Sequence, residues 1–69
     1  MNTVQLSFNG QTLTTEVNTL HALLLQQAYD LDAAFACAVN QVFVPRQKWR
    51  NQSLQAGDCI DVIAPVTGG

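Results

Sequence analysis

The sequence predicts an α+β fold in which one helix packs across one face of a small sheet of four or five strands. Three observations predict it. Apolar and polar residues alternate over residues 3–17, leucines recur at helical spacing directly afterwards, and three apolar segments follow that are bounded by Asn, Pro or Gly. A chain of 69 residues has the length of one domain, so we expect these elements to share a single core.

The first elements are a β-hairpin and a helix. Asn9-Gly10 interrupts the alternation of residues 3–17, and this pair can supply the two positive φ angles of a type I′ turn. The hydroxyl of Thr19 can accept a hydrogen bond from an unpaired N–H group in the first turn of the helix that follows. A helix over residues 20–28 then presents one stripe to the sheet, formed by Leu20, Leu23, Leu24 and Gln27.

Three further strands are expected in the second half of the chain, at residues 35–39, 42–44 and 59–64. The first of these is apolar throughout, as in a central strand. The other two end at Pro45 and Pro65, because proline removes a hydrogen-bond donor from a strand ladder. The polar residues 46–56 are expected to be irregular, with Trp49 and Leu54 anchoring them to the core.

The chain is mildly acidic, and its cations are confined to one short segment. The net charge of −2 argues against nucleic acid as a partner. No Lys or Arg precedes Arg46, so we expect no secretory signal, and the longest unbroken apolar run, residues 33–39, is too short to cross a bilayer. The sequence therefore predicts a cytoplasmic protein that does not bind membranes.

Candidate groups for catalysis or metal binding are few. One His and two distant Cys residues do not make a tetrahedral zinc set. A domain of this size buries only about 60% of its surface, which leaves little room for a catalytic cavity. We expect His21 to be a solvated helix residue, Cys37 a small core residue and Cys59 an exposed one, with no disulfide between the cysteines. The sequence predicts no catalytic residue and no metal site.

The C-terminal segment carries the one distinctive chemical group. Residues 65–69 are expected to be a flexible tail that ends in Gly68-Gly69, with the α-carboxylate on Gly69. Together with Val66 and Thr67, Gly68 would give this carboxylate access to a narrow site on another protein, because glycine has no side chain to clash with the walls of such a site. The alternative is a frayed chain end without a function.

The whole chain resembles the ThiS-type sulfur carriers, which are small ubiquitin-like proteins of thiamine thiazole biosynthesis. The matching segments, in chain order, are Val39-Asn40-Gln41, Val44-Pro45-Arg46, Trp49, Ala56-Gly57-Asp58, Pro65-Val66 and the final Gly68-Gly69. The resemblance implies a single ubiquitin-like β-grasp domain over residues 1–69. In that fold the sheet is mixed, and its first and last strands are adjacent and parallel.

The resemblance also implies a carrier that is a protein cosubstrate and not an enzyme. A ThiF-type adenylating enzyme would join the Gly69 carboxylate to AMP from ATP. A persulfide-bearing sulfur donor would then attack the adenylate, and reduction would leave a thiocarboxylate on Gly69. Thiazole synthase would take that sulfur. The carrier itself would bind no cofactor, since ATP would be used by the adenylating partner.

The sequence leaves three alternatives open. The small subunit of molybdopterin synthase has the same fold and tail chemistry, although it is usually longer. A non-covalent ubiquitin-like interaction module would make no chemical use of Gly69. A ubiquitin-like modifier would be attached to lysines of target proteins.

Two apolar residues are expected on the sheet face that the helix cannot cover. Phe43 and Ile63 fall out of phase with the neighbours that we expect in the core, which are Val42, Val44, Ile60 and Val62. An uncovered apolar patch typically marks a docking surface, so we predict that Phe43 and Ile63 bind the partner near the tail. Arg46, Lys48 and Arg50 are expected to be solvated, the alternative being a rim contact with an acidic patch of a partner.

Overall fold

The computed structural model describes residues 3–64 as five strands and two helical segments. In chain order these are β1 (Val4–Phe8), β2 (Gln11–Thr15), α1 (Leu20–Gln26), β3 (Ala36–Val39), β4 (Val42–Val44), a 3₁₀ helix (Arg46–Asn51) and β5 (Cys59–Ile63). The strands form one sheet in the order β2-β1-β5-β3-β4. The β1–β5 pair is parallel and the other pairs are antiparallel, which confirms the mixed sheet with adjacent first and last strands.

Two-residue turns with positive φ angles close both hairpins. Asn9 and Gly10 have φ angles of 52° and 85°, as the type I′ prediction requires. The β3–β4 hairpin turns in the same way at Asn40 and Gln41, with φ angles of 53° and 68°. This conformation matches the right-handed twist of the flanking strands, so both turns bring their strands together in register.

The core lies between α1 and one face of the sheet. Its fully buried side chains are Leu20, Leu23 and Leu24 of the helix together with Cys37 and Ile60 of the sheet. The predicted anchors Trp49 and Leu54 are also buried, at 2% and 5% exposure, and close the cluster from the segment after β4. The hydroxyl of Thr19 accepts a hydrogen bond from the backbone N–H of Ala22 at 3.2 Å, which confirms the predicted helix cap.

The helix ends two residues earlier than predicted. Ala28 adopts the left-handed conformation with φ 65°. Its N–H donates to the carbonyl of Leu25, and the N–H of Tyr29 donates to the carbonyl of Leu24, both at 3.0 Å. These bonds form a Schellman motif, which satisfies the last carbonyls of the helix. Alanine replaces the glycine usual at this position, so the sequence carried no stop signal there.

Two further expectations were wrong. Residues 46–56 are not all irregular, because Pro45, with φ −59°, leads directly into the 3₁₀ helix. Val42 is 66% exposed although it shares the phase of the buried Val44. It begins the edge strand β4, and a helix of seven residues, about 10 Å long, is too short to cover that corner of the sheet.

Candidate functional site

The central strand β5 leads to the predicted tail. It lies between β1 and β3, and its last residue, Ile63, is followed by Ala64. The predicted tail residues Val66, Thr67, Gly68 and Gly69 lie outside the described residues, so their roles stay predictions. The part of the candidate site that lies within the described residues is the end of β5 and the surface around it.

Two turn asparagines extend the hydrogen bonding of β5 beyond its neighbouring strands. The backbone N–H of Val62 donates to Oδ1 of Asn9 at 2.8 Å. On the other side, the backbone N–H of Cys59 donates to Oδ1 of Asn40 at 2.9 Å, and Nδ2 of Asn40 donates to Oδ1 of Asp58 at 3.1 Å. The sequence predicts a turn at Asn9 and a family-matching segment at Asn40, but neither of these side-chain contacts. Their side chains also fix the strand that leads to the tail.

The sheet face opposite the helix carries an apolar patch. Ile63 pairs with Ala36 and Phe43 pairs with Ala38, and directly paired residues in antiparallel strands point to the same face. Ile63 is 58% exposed and Phe43 is 63% exposed, so the prediction that both lie uncovered is confirmed. We call these four residues the outer patch. Because its two alanines are small, the surface is recessed between the larger side chains of Ile63 and Phe43.

The other half of the same face is polar. Register places Gln5 and Ser7 of β1 beside Thr14 and Thr12 of β2, and these four residues share the face of the outer patch. Asp61 pairs with Ala38 and marks the border between the two halves. The face therefore divides into a polar half on the β1–β2 hairpin and an apolar half on β3, β4 and the end of β5.

Arg46 is exposed, as expected, but it also has a structural role that the sequence did not predict. Its guanidinium lies 5.3 Å from the ring centre of Phe35 and 4.6 Å from that of Trp49. Its Nη atoms donate to the carbonyl oxygens of Leu31, Ala33 and Phe35. Since residues three apart eclipse in a 3₁₀ helix, Arg46 and Trp49 lie on the same side of it. Arg46 thus fixes the loop before β3.

A row of aromatic rings continues from this contact. Phe35 stacks on Trp49 with centroids 5.2 Å apart, Tyr29 lies 5.4 Å from Phe35, and Phe8 lies 5.9 Å from Tyr29. The indole N–H of Trp49 donates to the carbonyl of Val44 at 3.0 Å. Rings from β1, the loop after α1 and the 3₁₀ helix are joined in this way, although they are distant in sequence.

An open cavity of about 410 Å³ lies between this aromatic row and the outer patch. It is lined by Ala34, Phe35, Ala36, Arg46 and Ile63. Four of the five lining residues are apolar, and the guanidinium of Arg46 is the one charged group. Because Ile63 ends β5, the cavity lies beside the point where the chain continues toward the predicted tail.

The described residues offer little for catalysis of their own. Cys37 is fully buried, and burial raises the pKa of its thiol to about 11 against the weaker opposing effect of the positive charge on Arg46. Cys59 is exposed, as expected, and both thiols are free, while His21, expected to be solvated, is half-buried in α1. Within residues 3–64, no three His, Cys, Asp or Glu side chains are grouped to hold a metal ion, and no helix is long and apolar enough to span a membrane.

Comparison with known proteins gives one consistent result. The model of the ThiS family matches residues 2–69. The Sulfur carrier protein ThiS of Escherichia coli (strain K12) is 33% identical over 66 residues, which cover 96% of this chain and all of that protein. The crystal structure of the thiamine biosynthesis protein (ThiS) from Geobacter metallireducens superposes with a TM-score of 0.81 at 17% identity, covering 96% of this chain and all of the other. That superposition confirms the β-grasp fold.

Proposed function

This chain belongs to the ThiS family, and we propose that it carries sulfur for thiamine biosynthesis as a thiocarboxylate on Gly69. The observation that carries the proposal is the family match over residues 2–69, together with a curated sulfur carrier that aligns over its full length. The family match favours this pathway over the molybdopterin alternative and over a module without tail chemistry.

The reaction would begin with activation of the Gly69 carboxylate, because a bare carboxylate is a poor electrophile. A ThiF-type adenylating enzyme joins that carboxylate to the AMP portion of ATP and releases pyrophosphate. A persulfide on a sulfur donor then attacks the acyl carbon, and AMP leaves as an acyl disulfide forms. Two electrons from a thiol reductant cleave the S–S bond and leave the thiocarboxylate. Thiazole synthase takes the sulfur, and the carboxylate of Gly69 is regenerated.

The carrier positions its C-terminal carboxylate for these steps, and its partners provide the catalytic groups. The strand that precedes the tail is hydrogen-bonded on both sides and tied further by Asn9 and Asn40. This arrangement supports delivery of the tail from a fixed base. The exposed thiol of Cys59 lies at the opposite end of β5 from Ile63, so it is remote from the end that leads to Gly69.

The outer patch is the surface that we propose for docking. Phe43 and Ile63 are large, apolar and mostly exposed, and Ile63 is two residues from the start of the proposed tail. Contact between the patch and an apolar surface of the adenylating enzyme would remove this area from water and bring the tail to the enzyme's active site. The polar half of the same face would stay solvated.

One experiment tests the chemistry and another tests the docking face. Intact mass of the carrier, made together with its adenylating enzyme and sulfur donor, should show replacement of one oxygen by sulfur, and addition of one alanine after Gly69 should abolish that change. Ile63→Asp should abolish adenylation with the fold retained, whereas Thr12→Asp on the polar half of the face should not. Sulfur incorporation in the extended chain would contradict the tail chemistry, and normal adenylation of Ile63→Asp would contradict the docking face.

A further inference from the structure

We propose that the cavity beside the end of β5 is a docking pocket that takes an apolar side chain of the adenylating enzyme, with an acidic side chain of that enzyme pairing with Arg46 at its edge. This inference rests on the proposed function, because it takes the adenylating enzyme as the occupant. It adds a cavity that shares Ala36 and Ile63 with the outer patch and extends beyond it, and it states the chemistry of the partner's contact.

The lining of this open cavity suits an apolar side chain, and its volume leaves room for more than one. Its volume of about 410 Å³ exists because Ala34 and Ala36 are small, while Phe35 and Ile63 form apolar walls. Filling such a space removes apolar surface from water on both partners. Ile63 belongs to the outer patch as well, so an occupant of the cavity continues the same contact surface toward the tail.

The charge at the edge of the cavity specifies an anionic neighbour. The stacking on Phe35 and Trp49 and the bonds to three carbonyls hold the guanidinium of Arg46 in one orientation. These bonds to described residues are made by the two Nη atoms, and the side chain is exposed, so the guanidinium is accessible to a group of the partner. A carboxylate is the protein group that pairs best with a guanidinium held in this way.

The charge distribution of the chain favours a different protein as the partner over a second copy of this chain. All three cations lie within residues 46–50, whereas the chain as a whole carries a net charge of −2. In a two-fold dimer through this surface the same patch would face itself and bring Arg46 toward its own copy. An enzyme surface with an apolar projection beside an acidic side chain satisfies both the cavity and the cation.

Two adjacent alanines provide a matched test. Ala34 lines the cavity and Ala33 does not, yet both are exposed residues of the same loop. ATP–pyrophosphate exchange by the ThiF-type adenylating enzyme of the same organism is measured against carrier concentration. Ala34→Phe should raise the KM for the carrier about tenfold with kcat unchanged, since the new ring occupies the pocket. Ala33→Phe should match the wild type.

The charged contact has its own measurement. The KM of the wild type should rise with NaCl, because salt screens an exposed ion pair. Arg46→Gln, with its fold verified by circular dichroism, should lose part of this salt dependence, whereas Lys48→Gln should keep it. A KM that falls with salt, or an equal salt dependence in all three proteins, would overturn the acidic contact.

The outcomes distinguish failure of the pocket proposal from failure of the proposed function. If the wild type supports no exchange, the proposed function fails and the pocket loses its partner. If the wild type is active and Ala34→Phe has an unchanged KM, the pocket proposal alone is overturned. A lower kcat at unchanged KM would assign the cavity to the chain's own tail. A dimer of the carrier in sedimentation velocity that Ala34→Phe dissociates would assign it to a second copy.

Discussion

Substitution of Arg46 by alanine should destabilise the domain far more than its surface position suggests. Of the three carbonyl bonds, the one to Phe35 is long at 3.4 Å, so we count two charge-assisted bonds, to Leu31 and Ala33. At an exposed site each contributes about 1 kcal/mol, and the aromatic contacts add about 0.5–1 kcal/mol. The expected loss in the free energy of unfolding is therefore about 2–3 kcal/mol. The total free energy of unfolding of a domain of this length is only about 3–10 kcal/mol.

Thermal unfolding followed by far-UV circular dichroism measures this loss. Arg46→Ala should lower the Tm by about 10–20 °C, since each kcal/mol corresponds to several degrees in a domain of this size. Arg46→Lys should recover less than half of the loss, because lysine keeps the charge but lacks the planar fork. Arg50→Ala is the matched control, as Arg50 is exposed on the same 3₁₀ helix. If Arg46→Ala stays within about 3 °C of the wild type, Arg46 does not fix the loop.

Four further predictions concern the fold and its two cysteines. Asn9→Ala should lower the free energy of unfolding by about 1–2 kcal/mol in urea titration, and Asn9→Asp, which keeps an acceptor for β5, should lose less; equal losses would contradict the role of that oxygen. Ala28→Gly should raise the same quantity by about 1 kcal/mol, because glycine adopts a positive φ without steric cost, and a decrease would refute this explanation. At neutral pH, iodoacetamide should alkylate Cys59 alone, as intact mass will show, and two adducts on the folded protein would contradict burial of the Cys37 thiol. Because burial raises the pKa of Cys37 from 9.0 to about 11, its contribution to stability should be complete below pH 9 and be lost as the pH rises toward 11, a loss absent in Cys37→Ala.

The local part of the fold could be predicted from the sequence, because each signal acts over a few residues. Asn9-Gly10 specifies its turn by backbone sterics, and the hydroxyl of Thr19 reaches the N–H group three residues on. Alternation likewise predicted that Phe43 and Ile63 would be exposed. The spacing of apolar residues indicates which face of a strand or helix a side chain lies on, and this is sufficient to predict that Phe43 and Ile63 are exposed.

The rest depends on contacts between segments that are distant in sequence. Arg46 binds carbonyls of residues 31–35, and a carbonyl is present at every position, so no residue type identifies it as an acceptor. Val42 has the phase of a core residue but lies beyond the reach of the short helix. The cavity required two alanines, an aromatic ring and the end of β5 to meet. None of these follows from the spacing of apolar residues.

The central place of β5 has a mechanical consequence. If an enzyme draws the chain end into its active site, as we propose, the tension would run along β5, and the hydrogen bonds to the strands on either side lie across that direction. Under such a pull the bonds on both sides share the load and must break together, whereas a strand at the edge of the sheet is held along one side only. The domain would therefore stay folded while its C-terminal end is pulled and then released.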